Sequence, residues 1–357
     1  MKAAVIGCGR MGAFTSDSVR LFSPECWLPL AHAEAIVAEP DLELVALCDA
    51  NADNLAKART AYDGVAGFGD HQVLADAVQL DLVGIATRTP GRADIIRTLF
   101  ERGTRAFHIE KPLCNSVAEL EVLTPILKRD DVFATYGTVR RFLHIYEKGR
   151  ELAESGRFGP LVEVRANFGA GALYWTQPHA IDLILFAARG RAVTGVQARF
   201  DRLDEGETPG EVVNDPVLQS ATIWFEDGVA GHIGRAPGLD LVMSCESGEI
   251  TVASDGRRLL VAEQQGDDPY LVRGPYEGDI GGSGPQGTQA PIAQLAACLR
   301  GDAEAIAANR VVKRDILLGQ RLAFAMIASH RKASRIVGAD EIGRDLRILA
   351  RTGRFSA

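Results

Sequence analysis

The chain has no apolar run long enough to cross a bilayer, so a membrane-spanning helix is excluded by length. No charged leader precedes a long apolar stretch at the N-terminus, and residence in the cytoplasm is expected. The six cysteines (Cys8, Cys26, Cys48, Cys114, Cys245 and Cys298) form no C-x-x-C pair and no disulfide-like rhythm. A reducing compartment follows, and no metal site is expected. Basic residues gather no further than pairs such as Arg140-Arg141, and the formal net charge is −8. A nucleic-acid partner is therefore not expected, because phosphate backbones need clustered cations. No internal repeat is present. What remains is an ordinary globular composition, 46% hydrophobic and 24% charged over 357 residues, enough for two domains.

The most informative stretch is the first dozen residues. Lys2 to Ile6 is an apolar run of one strand's length, and it empties into Gly7-Cys8-Gly9-Arg10-Met11-Gly12, a G-x-G-x-x-G loop. In that pattern one glycine makes a tight turn, one admits a pyrophosphate to the backbone, and one lets a helix pack close. Amides at the following helix N-terminus would hold the phosphates.

Further along, strands and helices alternate. Leu42–Cys48, Gly64–Phe68, Leu82–Ala86, Arg105–Ile109 and Val132–Tyr136 read as strands, with helices between them. That rhythm predicts a doubly wound parallel sheet, a Rossmann domain over residues 1–138. Beyond Gly156–Pro160 the runs Leu161–Phe168, Val193–Phe200, Ala221–Phe225 and Leu241–Cys245 alternate with period two. Asp227-Gly228 and Ser247-Gly248 punctuate them as hairpin turns. Helices are expected at Ala180–Ala188, Pro291–Leu299 and Arg314–Arg331. Residues 139–337 therefore read as an α+β domain with an open, mostly antiparallel sheet, and residues 338–357 as a C-terminal tail. Gly281–Gly287 reads as flexible cover. Thr15–Pro29 reads as an insertion in or before the first helix, since more than the roughly 20 residues usual in this fold separate Gly12 from the next acidic strand end.

Ligands of open parallel sheets bind beyond the carboxyl ends of the strands. The glycine loop, Asp49 and Glu110-Lys111-Pro112 all fall there. Asp49 would accept the hydroxyls of an adenosine ribose and repel a 2′-phosphate. Ala50 and Asn51 follow it with no arginine, so NAD is expected rather than NADP. Thr87 and Thr89 line the same edge.

The glycine loop, Glu110-Lys111-Pro112, Ser155-Gly156-Arg157-Phe158-Gly159 and His179-Ala180-Ile181-Asp182 occur in an order that resembles the Gfo/Idh/MocA oxidoreductases. The resemblance covers nearly the whole chain. It implies a Rossmann domain joined to an α/β domain whose open sheet mediates homodimers or homotetramers. It also implies oxidation or reduction of a secondary alcohol or carbonyl on a sugar, polyol or related molecule. By the same resemblance Lys111 stands between nicotinamide and substrate, where an ammonium stabilises charge developing on the reacting oxygen. Pro112 would follow through a cis bond, and His179 would take the hydroxyl proton. Asp182 would orient that imidazole, and Glu110 and Lys111 would also meet the cofactor.

The sequence departs from the family pattern before His179. Trp175 stands where many relatives have Asp, and Gln177 where they have Gly. Tyr174, Trp175, Gln177, Arg165 and Asn167 are the candidate substrate contacts; Arg165 and Asn167 share one strand face by alternation. Two alternatives stay open: an enzyme that retains NAD through a transient oxidation with elimination, epimerisation or glycoside cleavage, and an NAD-binding regulator without catalysis.

Overall fold

The computed structural model describes residues 1–266 and 269–352. The chain divides into two units. The first comprises Met1–Cys114, Glu119–Phe142 and Gly284–Leu317; the second comprises Asn115–Ala118, Leu143–Ser283 and Leu318–Ala357.

The first unit opens with β1 (Lys2–Ile6), α1 (Asp17–Phe22), α2 (His32–Val37), β2 (Glu43–Cys48), α3 (Ala52–Ala61) and β3 (Ala66–Phe68). It continues through α4 (His71–Ala77), β4 (Leu82–Ile85), α5 (Arg92–Glu101), β5 (Ala106–Ile109), α6 (Val117–Leu127) and β6 (Phe133–Tyr136). Its six strands lie in the order β3-β2-β1-β4-β5-β6, every pair parallel. Every residue of β4 and β5 is buried, as apolar strands covered on both faces require. Local chemistry sets the helix starts: Asn51 caps α3 by accepting from the amides of Asp53 and Asn54, and Asp70 caps α4 through Gln72 and Val73.

The second half begins with α7 (His144–Glu154), β7 (Leu161–Asn167), α8 (Gln177–Ala188), β8 (Val193–Phe200), β9 (Glu211–Asn214) and β10 (Leu218–Phe225). Then come β11 (Ala230–Gly234), β12 (Asp240–Cys245), β13 (Gly248–Ala253), β14 (Arg258–Gln264) and β15 (Leu271–Pro275). The chain closes with α9 (Gln289–Leu299), α10 (Ala303–Arg331) and β16 (Arg347–Thr352). Eight strands form one sheet in the order β15-β14-β13-β12-β7-β11-β10-β8. Within it only β7 and β11 pair in parallel. The Rossmann sheet and the open, mostly antiparallel sheet both match the expected fold class.

Several elements differ from the sequence reading. The strand Ala230–Gly234 has two glycines in five residues and reads poorly as a strand, yet it fills an interior place in the sheet. The long helix α10 starts at Ala303, where Asp302 accepts from the Ala305 amide, rather than at Arg314. Helix α9 packs on β5 and β6 of the first sheet, not on the second. Its flank is fixed by Asn309, whose side chain bonds both the amide and the carbonyl of Ala134. Arg141 is buried in an ion pair with Asp315 at 3.0 Å, a structural role. The expected tail contains β16, which pairs in parallel with β9 and buries Ile348. Residues 353–357 of that tail lie outside the described residues.

Candidate active site

The three glycines of the first loop do different work. Gly7 leaves β1 at a φ of +94°, and a Cβ there would lie 2.6 Å from the carbonyl carbon of Ala86. At Gly12 a Cβ would stand 1.6 Å from the Gly7 carbonyl oxygen. At Gly9 it would meet nothing within 4 Å. The outer two glycines thus close the loop on itself, while the middle one faces open space. That is the division of labour a diphosphate cradle needs, so the loop fits a dinucleotide. Arg10 is exposed and Met11 half-buried beside it.

Asp49, at the end of β2, accepts from the Cys8 amide at 2.7 Å and from the Asn51 amide at 2.8 Å. It therefore braces the loop, and the helix cap next to it belongs to Asn51. Each carboxylate oxygen keeps a further lone pair for a ribose hydroxyl. The Cys8 thiol is pushed up to about 12, first by burial and then by the charge of Asp49, and is an inert packing group. Thr87 follows β4 against Gly7; its buried hydroxyl has no hydrogen-bond partner among the described residues. Thr89 lends its carbonyl to the first amide of α5.

The inserted stretch, which carries α1, separates the turn after the glycine loop from α2. After one turn, in which Gly12 and Ala13 donate to the Gly9 carbonyl, the chain leaves and returns at His32. The amides of His32 and Ala33 then bond the carbonyls of Met11 and Gly12, so the helix resumes across the gap. Thr15 ties the neck by donating to Glu34 at 2.6 Å and accepting from the amides of Leu30 and Ala31. Trp27 packs under the Arg140 guanidinium, 4.3 Å from its ring centre. The glycine-rich stretch expected as flexible cover is tied at its last residue, where Gly287 donates to the Cys26 carbonyl, and the next residue, Thr288, donates to that of Pro29.

Glu110, Lys111 and Pro112 follow β5, with a cis bond between Lys111 and Pro112. Lys111 is half-buried; its amide faces Glu110 Oε2 at 3.3 Å. Glu110 is buried beside His32 at 3.4 Å, and His32 packs edge-on against His108, which meets the Thr135 hydroxyl at 2.9 Å. Gly137 leaves room for the carboxylate, since a Cβ there would come 2.7 Å from it. Burial alone would raise the Glu110 carboxyl, but the hydrogen bond and charge of His32, then the charges of Lys111 and His108, outweigh it and bring it to about 2. Burial, reinforced by His32 and opposed by Glu110, drives His108 well below 6.5.

Both shifts make the fold sensitive to acid. Below pH 6.5 the unfolded chain takes up a proton that buried His108 refuses, so stability falls as pH falls. Glu110 adds stability above pH 4.5 that is lost between 4.5 and about 2. Urea denaturation followed from pH 7 downward should therefore show a limb of up to about 1.4 kcal/mol per pH unit from His108. His108→Gln should flatten the limb between pH 6.5 and 5; an unaltered slope would mean that His108 is not its source.

Sequence reasoning missed Arg92. The first residue of α5, it is 1% exposed, and its guanidinium bonds the carbonyls of Glu110, Pro112 and Thr87. Burial pulls its pKa down while Glu110 pulls it back. Nothing local in Gly91-Arg92-Ala93 marks it, because its partners come from two other loops.

In the second unit, His179 sits half-buried in the first turn of α8, with Asp182 buried one turn on and on the same helix face. The two aromatics before it part company. Tyr174 is buried and its hydroxyl lies 3.5 Å from Gln320, whereas Trp175 is 45% exposed. Asp215 holds both residues by accepting from their amides. Gln177 is fully buried and donates to the Gly171 carbonyl, so it shapes the loop. Arg165 and Asn167 do share a face, but not that of His179. Gly231 pairs with Val164 and presses on Ile184 of α8, which puts Val164 and Ala166 on the helix side and Arg165 and Asn167 on the other. There Arg165 is paired with Glu163 and Glu249.

Residues 1–138 match the Gfo/Idh/MocA model, described as an oxidoreductase family with an NAD-binding Rossmann fold. That stretch is similar to the NAD-binding domain of this family. Among similar proteins, myo-inositol 2-dehydrogenase of Thermotoga maritima is 25% identical over 276 residues, 77% of this chain and 74% of that one. The 1-carboxy-3-chloro-3,4-dihydroxycyclohexa-1,5-diene dehydrogenase of Comamonas testosteroni is 23% identical over 54% of this chain and 51% of its own. A solved levoglucosan dehydrogenase in complex with NADH and levoglucosan shares the fold, with a TM-score of 0.71 and 18% identity over 96% of this chain and 100% of that one. Among the described residues, no helix is long and apolar enough to cross a membrane and no His, Cys, Asp and Glu cluster could hold a metal.

Proposed function

We propose that this oxidoreductase transfers a hydride between NAD and a secondary alcohol or carbonyl of a sugar, polyol or sugar derivative. One observation carries the reading: Lys111 lies in the turn after β5, two places along the parallel sheet from the glycine loop after β1, with Thr87 just after the strand between. Two strand spacings are about 10 Å, within the span of one dinucleotide laid along the carboxyl edge. The nicotinamide, when bound, supplies the hydride acceptor or donor. The glycine-loop amides hold the diphosphate, Asp49 the adenosine ribose, and Thr87 and Thr89 the edge beyond. Lys111 donates to the reacting oxygen and stabilises its developing charge. His179 takes or returns the hydroxyl proton, and Asp182 orients it. Trp175 offers an exposed ring face to an apolar sugar surface.

Inositols, apiose and levoglucosan, the substrates named for relatives and a structural neighbour, form the first test panel. NADH formation with one of them supports the reading. Trp175, in place of the family's carboxylate, favours a second reading in which NAD is retained. In that case mass spectrometry would find a changed sugar without accumulating NADH. Tight NAD binding with no product from any polyol would count against catalysis.

Asp49 carries the cofactor preference. Asp49→Asn removes the charge set against a 2′-phosphate and should reduce the ratio of kcat/KM for NAD over NADP by about tenfold or more. An unchanged ratio would remove Asp49 from cofactor selection.

A further inference from the structure

The buried guanidinium of Arg92 has an unusual set of partners. Among the described residues it makes no carboxylate ion pair but grips three main-chain carbonyls: Glu110 at 2.5 Å, Pro112, and Thr87. Two of these flank Lys111, one on each side, and the third belongs to the loop after β4 that packs on Gly7. A buried cation is costly unless its donors are met, and here the two terminal nitrogens are spent on the backbone of two loops rather than on an ion pair, while Nε has no partner among the described residues. The planar fork of arginine reaches several acceptors at once, which a lysine ammonium on its flexible stem does not reproduce.

We propose that Arg92 is a positioning residue for Lys111: it clamps the turn on both sides of the lysine to the Thr87 loop and so sets where the ammonium meets the reacting oxygen. The inference rests on the proposed role of Lys111. It predicts that Arg92 matters for turnover only through that lysine. A small misplacement of a reacting group costs up to about a hundredfold in rate, so loosening one clamp should cost about tenfold or more.

The test is a double-mutant cycle with Arg92→Lys and Lys111→Ala, assayed with NAD and the panel polyol that turns over fastest. Arg92→Lys alone should lower kcat about tenfold or more while the Kd for NAD stays within about threefold. In the Lys111→Ala background the same change should lower the remaining kcat less than about twofold. An equal factor in both backgrounds, or loss of NAD affinity in step with kcat, overturns the proposal. If Lys111→Ala alone leaves kcat unchanged, it is the role of Lys111 that fails. Hydrogen exchange gives a readout without turnover. Peptides covering 86–89 and 106–114 should exchange faster in Arg92→Lys, and unchanged exchange there overturns the clamp. Arg92→Gln serves as a second variant, and failure of both to fold would assign Arg92 to folding and overturn the positioning role.

Discussion

Lys111→Ala is expected to lower kcat by about a thousandfold while the Kd for NAD stays within about twofold. The rate loss follows from removing a charged donor aimed at a developing oxyanion, which typically costs a hundred- to a thousandfold, together with any share in proton transfer. Binding should survive because the elements read as holding the cofactor are elsewhere: the loop of Gly7, Gly9 and Gly12, and Asp49, which braces it through the Cys8 amide. The turn itself should also survive, since Arg92 and Glu110 hold its backbone. Steady-state kinetics and an NAD titration check the two halves separately. Unchanged turnover would remove Lys111 from the chemistry, and lost NAD binding would make it a cofactor residue first.

The second large effect separates two glycines that look alike in sequence. In Gly12→Ala the new Cβ would stand 1.6 Å from the Gly7 carbonyl oxygen, which is backbone and cannot swing aside. The loop must open, costing about 1–3 kcal/mol or more in stability, and NAD affinity should fall by over about a hundredfold. Gly9→Ala meets no protein atom within 4 Å and should leave Tm unchanged. Its methyl enters the space read as that of the diphosphate, so NAD affinity should still fall about tenfold or more. Thermal melts paired with NAD titrations separate the cases. A Gly9→Ala protein that binds NAD normally would mean that the diphosphate lies elsewhere.

The contrast shows what kind of information each level holds. The G-x-G-x-x-G spacing marked all three glycines at once. Gly12 is constrained locally by the Gly7 carbonyl, but what constrains Gly7 is Ala86, some eighty positions away in sequence and next to it only because β4 pairs with β1. The same holds for the substrate candidates. Period-two alternation placed Arg165 and Asn167 on one face, but which face carries α8 is settled by Gly231 and Ile184. Tyr174 and Trp175 were equivalent as residues, and burial separates them.

The sequence by itself determined the parallel sheet, the glycine loop, the acid closing β2 and the Glu110-Lys111-Pro112 turn. These rest on local matters: the length of apolar runs, residues that stop or cap helices, and backbone freedom at glycine. Tertiary structure alone decided that α9 serves the first sheet, that the helix broken at Ala13 resumes at His32, and that Arg92 clamps the lysine turn. Each of these depends on main-chain carbonyls or buried faces, which every residue type presents alike. Residue names and spacing do not encode such partners, and only the folded path of the chain brings them together.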